Sequence, residues 1–193
     1  TATAIQSQAS GDYTTATNWA GSNIPDASGE TAEILNGHTI TYTGDFALPA
    51  RITIENGGTL RITGNLTIQE AGQMITVNAG GTLIIEGNFN MNGHNAQLVN
   101  NGSAQINGNF IANGGTLQTN AGSLTVIGGN FSTTTNGSFN TGHLDIHGSF
   151  TVDGALVEFR LKAAGTLESM NTVIIAAINK DRLIFFNITS LPL

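Results

Sequence analysis

From Gly58 to Ile68 the chain reads GTLRITGNLTI. Its apolar positions fall on alternate residues, Leu60 and Ile62 on one side of an extended backbone and Thr59, Arg61 and Thr63 on the other. A period of two is the mark of a strand with one buried face. The pattern returns as GTLIIEGNFNM from Gly81, GSAQINGNFIA from Gly102, GSLTVIGGNFST from Gly122 and GHLDIHGSFTV from Gly142, with leading glycines 23, 21, 20 and 20 residues apart. A looser copy, GHTITYTGDFAL, starts at Gly37 and takes one residue more to reach its second glycine. Repetition at this period means that each unit buries its apolar face only by stacking on the next.

Each unit predicts three short strands. One follows the leading glycine, one follows the Gly–Asn step (Leu66 to Ile68), and one precedes the next leading glycine, as in residues 52–54 and 75–77. Three strands per coil with Gly and Asn corners describe an all-β fold, a single-domain β-solenoid (parallel β-helix) of about six to seven coils. At a strand spacing of roughly 4.8 Å the stack is a rod on the order of 30 Å long. The position after the corner reads Phe46, Leu66, Phe89, Phe110, Phe131 and Phe150, which predicts an internal ladder of large apolar side chains. The corner itself reads Asp45, Asn65, Asn88, Asn109, Asn130 and Ser149. Asparagine tolerates left-handed backbone, and stacked amides can hydrogen-bond along the axis.

The repeat occupies 36–155, and the ends differ from it and from each other. Residues 1–35 hold the single tryptophan, Trp19, and read as an N-terminal cap. Trp19 covers the first coil in that reading; a sugar-stacking role is the alternative. The uncharged opening, TATAIQSQA, is suited to adding as a strand to a neighbour. Residues 156–193 are more apolar and poorer in glycine. They read as capping strands at 157–161, 172–178 and 182–188, with a turn at 179–181.

Charge sharpens this difference between the ends. Residues 1–50 carry Asp12, Asp26, Glu30, Glu33 and Asp45 with no Lys or Arg, whereas Arg160, Lys162, Lys180 and Arg182 lie in 156–193. An acidic end and a basic end favour a head-to-tail contact, which makes a filament when it does not close. The net charge of −7 speaks against a nucleic-acid partner, which needs a basic stripe. No apolar run of membrane-spanning length is present, so no membrane insertion is expected. Without cysteine there is neither a disulfide framework nor a thiolate site.

The most suggestive polar cluster is His143, Asp145 and His147, which alternate with Leu144 and Ile146 on one outer face. Two histidines four residues apart on a strand are about 13 Å apart, too far to clasp one ion unaided. The trio is therefore a weak metal candidate, and no cofactor is expected. His38 and His94 stand beside turn residues and read as surface. Polysaccharide-cleaving β-helices carry acids and bases together on one outer face. Here the outer columns read Arg61, Ile84, Gln105, Thr125, Asp145 and Thr63, Glu86, Asn107, Ile127, His147, and neither assembles an acid/base pair. An ice-binding threonine lattice fails as well, because Ile84, Glu86, Gln105 and Asn107 interrupt it. The expectation is a protein that is not an enzyme.

The stretch from Gly11 to Phe46, with Gly11, Tyr13, Asn18, Trp19, Gly21, Pro25 and NGHTI at 36–40, is followed by GTLxIxGNF repeats. In this it resembles a module of secreted, cell-surface β-solenoid proteins of Bacteroidota. The resemblance covers about 11–155 and implies export to the surface, often by the type IX pathway, in adhesins and appendage-like proteins. The SLPL ending resembles the segment that precedes the sorting domain in such proteins. The expected function is thus extracellular and structural or adhesive, a subunit stacking end to end. The alternative is a carbohydrate-binding module meeting surface glycans, and a third reading is a lyase.

Overall fold

The strands of successive copies pair in parallel and in register. The computed structural model describes residues 4–70, 72–93, 95–120, 122–134, 138–140, 143–153, 173–179 and 182–188. Its first sheet stacks Ile5–Gln6, Thr31–Ile34, Arg51–Ile54, Met74–Val77, Gln97–Asn100, Thr116–Thr119 and Ser138–Asn140. The second stacks Gly11–Asp12, Thr39–Tyr42, Thr59–Ile62, Thr82–Ile85, Ser103–Ile106, Leu124–Ile127 and His143–Ile146. The third holds Phe46–Ala47, Leu66–Ile68, Phe89–Met91, Phe110–Ala112, Phe131–Thr134 and Phe150–Asp153. One strand from each sheet makes a turn. The described residues therefore hold six full turns of a β-solenoid, from Thr31–Ala47 to Ser138–Asp153, after a two-strand half-turn.

The inner face explains why these residues choose strand. In turn two, Ile52, Ile54, Leu60, Ile62, Leu66 and Ile68 all point inward and are at most 1% exposed. Each such side chain contributes roughly 1.5–3 kcal/mol by leaving water. A one-residue slip would turn the whole set outward, so the register is strongly specified.

The fifth copy departs from the expected pattern for this reason. Leu124 pairs with Ser103 and Thr125 with Ala104, so the inward residues are Thr125 and Ile127. Thr125 and Ile127 therefore leave the outer columns, and Val126 faces out with Gln105 and Asp145. The double glycine at Gly128–Gly129 lengthens this copy by one residue, which moves its leading Gly122 one place back. Leu124 is left 39% exposed as a consequence.

The corners rest on close approach as well as on dihedral freedom. The Gly108 N–H donates to Gly87 O at 3.0 Å, and a Cβ on Gly108 would lie 2.5 Å from Asn88 Oδ1. Among the described residues positive φ outside glycine occurs only at Ser22 and Asn95, so the corner asparagines are not left-handed. Asparagine is used there for its side chain.

At the N-terminus, Ile5–Gln6 pairs with Ala32–Glu33, and Ser7 bridges Trp19 in antiparallel fashion. Within the chain Ile5–Gln6 is thus the edge strand of the first sheet, paired on one side by Ala32–Glu33. Two 3-10 turns, Ala16–Asn18 and Ala20–Ser22, complete the cap. Thr31–Ile34, read from sequence as cap, is already the first strand of turn one. Near the other end, Val173–Asn179 and Arg182–Ile188 form an antiparallel hairpin, as the pattern at 172–178 and 182–188 predicts. The strand expected at 157–161 lies outside the described residues.

Candidate functional surfaces

The ladder residues face one another along the axis. Phe89 and Phe110 stack with centroids 4.7 Å apart and planes 8° from parallel, and Phe110 and Phe131 follow at 5.0 Å and 23°. The backbone of Phe150 is in register with Phe131. Leu66 separates this stack from Phe46, which packs on Tyr42 at 4.3 Å and Tyr13 at 4.9 Å instead.

The corner column is a hydrogen-bonded chain of a kind the sequence did not specify. Each side-chain Oδ1 accepts the backbone N–H of the next corner. Asp45 accepts from Asn65, Asn65 from Asn88, Asn88 from Asn109 and Asn109 from Asn130, all at 2.8 Å, and Asn130 accepts from Ser149 at 2.9 Å. The corner side chains thus hydrogen-bond along the axis as expected, chiefly to the next corner's backbone, with the Asn65 amide also donating to Asp45 Oδ1 at 3.0 Å. These bonds leave the column with its acceptors engaged along the rod.

Trp19 is fully buried, its indole N–H donating to Tyr13 O at 2.7 Å and its ring meeting Tyr13 edge-on at 5.1 Å. It closes the core and offers no face to a sugar. Tyr13 is buried as well and donates to Pro25 O at 2.7 Å. Burial, aided by the charges of Asp26 and Glu30, pushes its phenol well above the ordinary range.

His143, Asp145 and His147 share an exposed outer face as expected, with His147 Nε2 at 3.4 Å from Asp145 Oδ2. Among the described residues no three His, Asp or Glu side chains converge as metal ligands do. His38, read from sequence as surface, is half-buried. Its Nδ1 shares a 2.8 Å hydrogen bond with Ser7 Oγ, which also accepts the Leu35 N–H. His94 lies outside the described residues.

The N-terminal acids gather at the capped end but are partly committed. Glu33 accepts from Gln6, Glu30 from the Ala27 N–H at 3.0 Å, and Asp12 from the Thr14 N–H and hydroxyl. Those two Thr14 bonds hold the Asp12 carboxyl below its ordinary value. Asp26 is exposed. Of the basic partners, Arg160, Lys162 and Lys180 lie outside the described residues, and Arg182 opens the last strand opposite Asn179.

Sequence reasoning missed two features. Arg61 and Glu86 form an ion pair across neighbouring turns; the register that sets Arg61 beside Ile84 brings Glu86 within reach. A shallow groove of about 380 Å³ runs between Ser28–Gly29 and Gly72–Gln73, floored by Pro49, Ala50 and Arg51. Its signal was unequal corner length, three residues at 48–50 against five at 69–73. Gln73 in its wall has both ends engaged, the amide donating to Leu48 O and the carbonyl accepting from Gln69 and Glu70. Arg51 likewise donates to Gly72 O at 2.9 Å. Neither the groove nor the ladder presents an acid/base pair poised over a cavity. Comparison of the chain with family models, curated proteins and solved structures found no match.

Proposed function

We propose that this chain serves as a non-catalytic, structural rod in an exported surface protein, joined end to end by its unlike ends. The observation that carries this reading is the Asp45-to-Ser149 chain of axial hydrogen bonds: the repeat's most regular polar groups bind the next turn instead of converging on a cavity. The likeness of residues 11–46 to secreted Bacteroidota modules supports placement outside the cell. The acids at the capped end and the basic residues of 156–193 support a head-to-tail contact.

Exposed ion pairs contribute about 0–1 kcal/mol each and are screened by salt. Sedimentation velocity across a concentration series should therefore show chain growth at low ionic strength that dissolves at high ionic strength. A monomer at every concentration and salt level sinks the end-to-end contact. A carbohydrate-binding role has lost Trp19 as a platform and would rest on the outer Asn and Gln side chains. Saturable binding on a glycan array would move the reading there.

A further inference from the structure

The chain contains seven Asn–Gly pairs, at 36, 56, 92, 101, 107, 113 and 136, of which the first six lie among the described residues. Asn–Gly is the dipeptide most prone to cyclise, because glycine offers no side chain to hinder attack of its nitrogen on the asparagine amide. The fold distributes that hazard unevenly. The Gly37, Gly57 and Gly108 N–H groups donate to glycine carbonyls of adjacent turns at 3.0–3.1 Å, and Gly93 donates to Ile68 O at 3.2 Å. Gly102 donates to Asn100 Oδ1 at 3.0 Å. Gly114 has no acceptor among the described residues, although it is buried.

The asparagine side chains divide in the same way. Asn36 and Asn56 lay their carbonyl oxygens over the glycines of the next turn. Asn101 accepts from Asn120, and Asn107 accepts from Gln105 at 2.8 Å. Asn92 and Asn113 are both exposed and share one long bond, the Asn113 amide donating to Asn92 Oδ1 at 3.3 Å, but only the glycine after Asn92 has its N–H held, by Ile68 O. Both reacting groups are thus least restrained at Asn113–Gly114.

The structure assigns Asn113–Gly114, in the corner between turns four and five, as the site where this protein undergoes spontaneous deamidation and isomerisation. The Gly114 nitrogen bonds to Asn113 Cγ, the Cγ–Nδ2 bond breaks, and ammonia leaves as the nitrogen's proton passes to it through solvent. Water then opens one of the two carbonyls of the resulting ring, giving aspartate or isoaspartate. The new carboxylate faces Asn92 Oδ1 without the amide donor that had bridged them. Isoaspartate also adds a methylene to the main chain just before Gly114, which pushes on Gly115, where even a Cβ would lie 2.6 Å from Ala96 O. Ageing therefore loosens the rod at one corner.

The test is peptide mapping by mass spectrometry after prolonged incubation in ¹⁸O-water at mildly alkaline pH. The native protein should carry an excess of converted product at 113–114, about tenfold over each of the other five pairs, since those must first release a hydrogen bond. In urea the six pairs should convert at similar rates. Gly114→Ala is the matching variant: its Cβ meets nothing closer than Asn92 O at 3.6 Å, so the fold is kept while the attack is hindered. Conversion spread evenly over the native chain, led by another pair, or equally biased to 113–114 in urea would overturn the assignment. So would a Gly114→Ala protein that converts at the wild-type rate.

Discussion

Turn two and turn five share backbone, register and corner chemistry, yet their interiors differ. Turn two fills its six inner positions with Ile52, Ile54, Leu60, Ile62, Leu66 and Ile68. Turn five fills the matching positions with Leu117, Thr119, Thr125, Ile127, Phe131 and Thr133, all at most 2% exposed. Three aliphatic side chains have become threonines. At about 1–2 kcal/mol less apolar stabilisation for each, turn five contributes on the order of 3–6 kcal/mol less than turn two. The parallel ladders do not require a uniform core; they require inward groups that are either apolar or bonded. Turn five meets that condition through Asn100 of turn four, whose amide donates to Thr125 Oγ1 and Leu124 O at 2.9 Å. The Phe89–Phe110–Phe131 stack carries apolar contact across the change.

In a solenoid each turn touches only its neighbours, so such a difference stays local. The strongest attempt to break the comparison is a matched pair in one column, Ile62→Ala and Ile127→Ala, which lie in register through Ile85 and Ile106. The turn-two variant should lose about 3–4 kcal/mol, with protection falling in the early turns around it. The turn-five variant should lose about 2 kcal/mol, confined to the later turns, because the softer surroundings relax around the cavity. Native-state hydrogen exchange reads both. Equal losses spread evenly over all turns would mean that the rod unfolds as one unit and that the polar turn is no weaker.

That contrast was only partly legible in the sequence. Alternation and glycine spacing sufficed for the solenoid, and the aromatic column was readable because Phe89, Phe110 and Phe131 recur at nearly constant spacing. Thr125 was misplaced because Leu124 and Val126 are the more apolar pair, and only the shift carried by Gly128–Gly129 turns them outward. Asn100 was hidden because Asn at a strand end reads as a turn, whereas its partner is 25 residues away. Trp19 could be sugar platform or lid from sequence alone. Its bond to Tyr13 O, formed by the fold of 13–19 back on itself, decides between them.

A middle-sized effect tests whether the polar pair acts as a unit. Thr125→Val removes one acceptor from the buried Asn100 amide, and Asn100→Val strands the Gly102 N–H that donates to its Oδ1. Each should cost about 1–2 kcal/mol, since a buried polar group is left without a partner. The double variant should recover about 1 kcal/mol of the summed cost, as the threonine–asparagine bond is lost only once. Urea unfolding of the four proteins gives the cycle. Strict additivity would dissolve the pair, and the tolerance of turn five for threonine would then need another source.

The smallest expected effect lies at the opposite end of the rod and asks whether the cap is insulated from turn five. Asp12 belongs to the half-turn that pairs with Ile40–Thr41, and its carboxylate accepts from Thr14. Those bonds lower its pKa on folding, so the stabilisation is complete above the ordinary aspartate value of about 4 and is lost as pH falls through the lowered one. Acid should therefore loosen the cap first at Gly11–Asp12, next to Tyr13 and Trp19. Trp19 is the sole tryptophan and is wholly buried, so its fluorescence reports the cap alone. On acidification from neutrality, Asp12→Asn should flatten that part of the fluorescence change while the amides of Leu124–Ile127 exchange as in the wild type. An altered exchange rate in those turn-five amides would show that the cap and the polar turn are coupled through the intervening apolar turns, which nearest-neighbour stacking forbids.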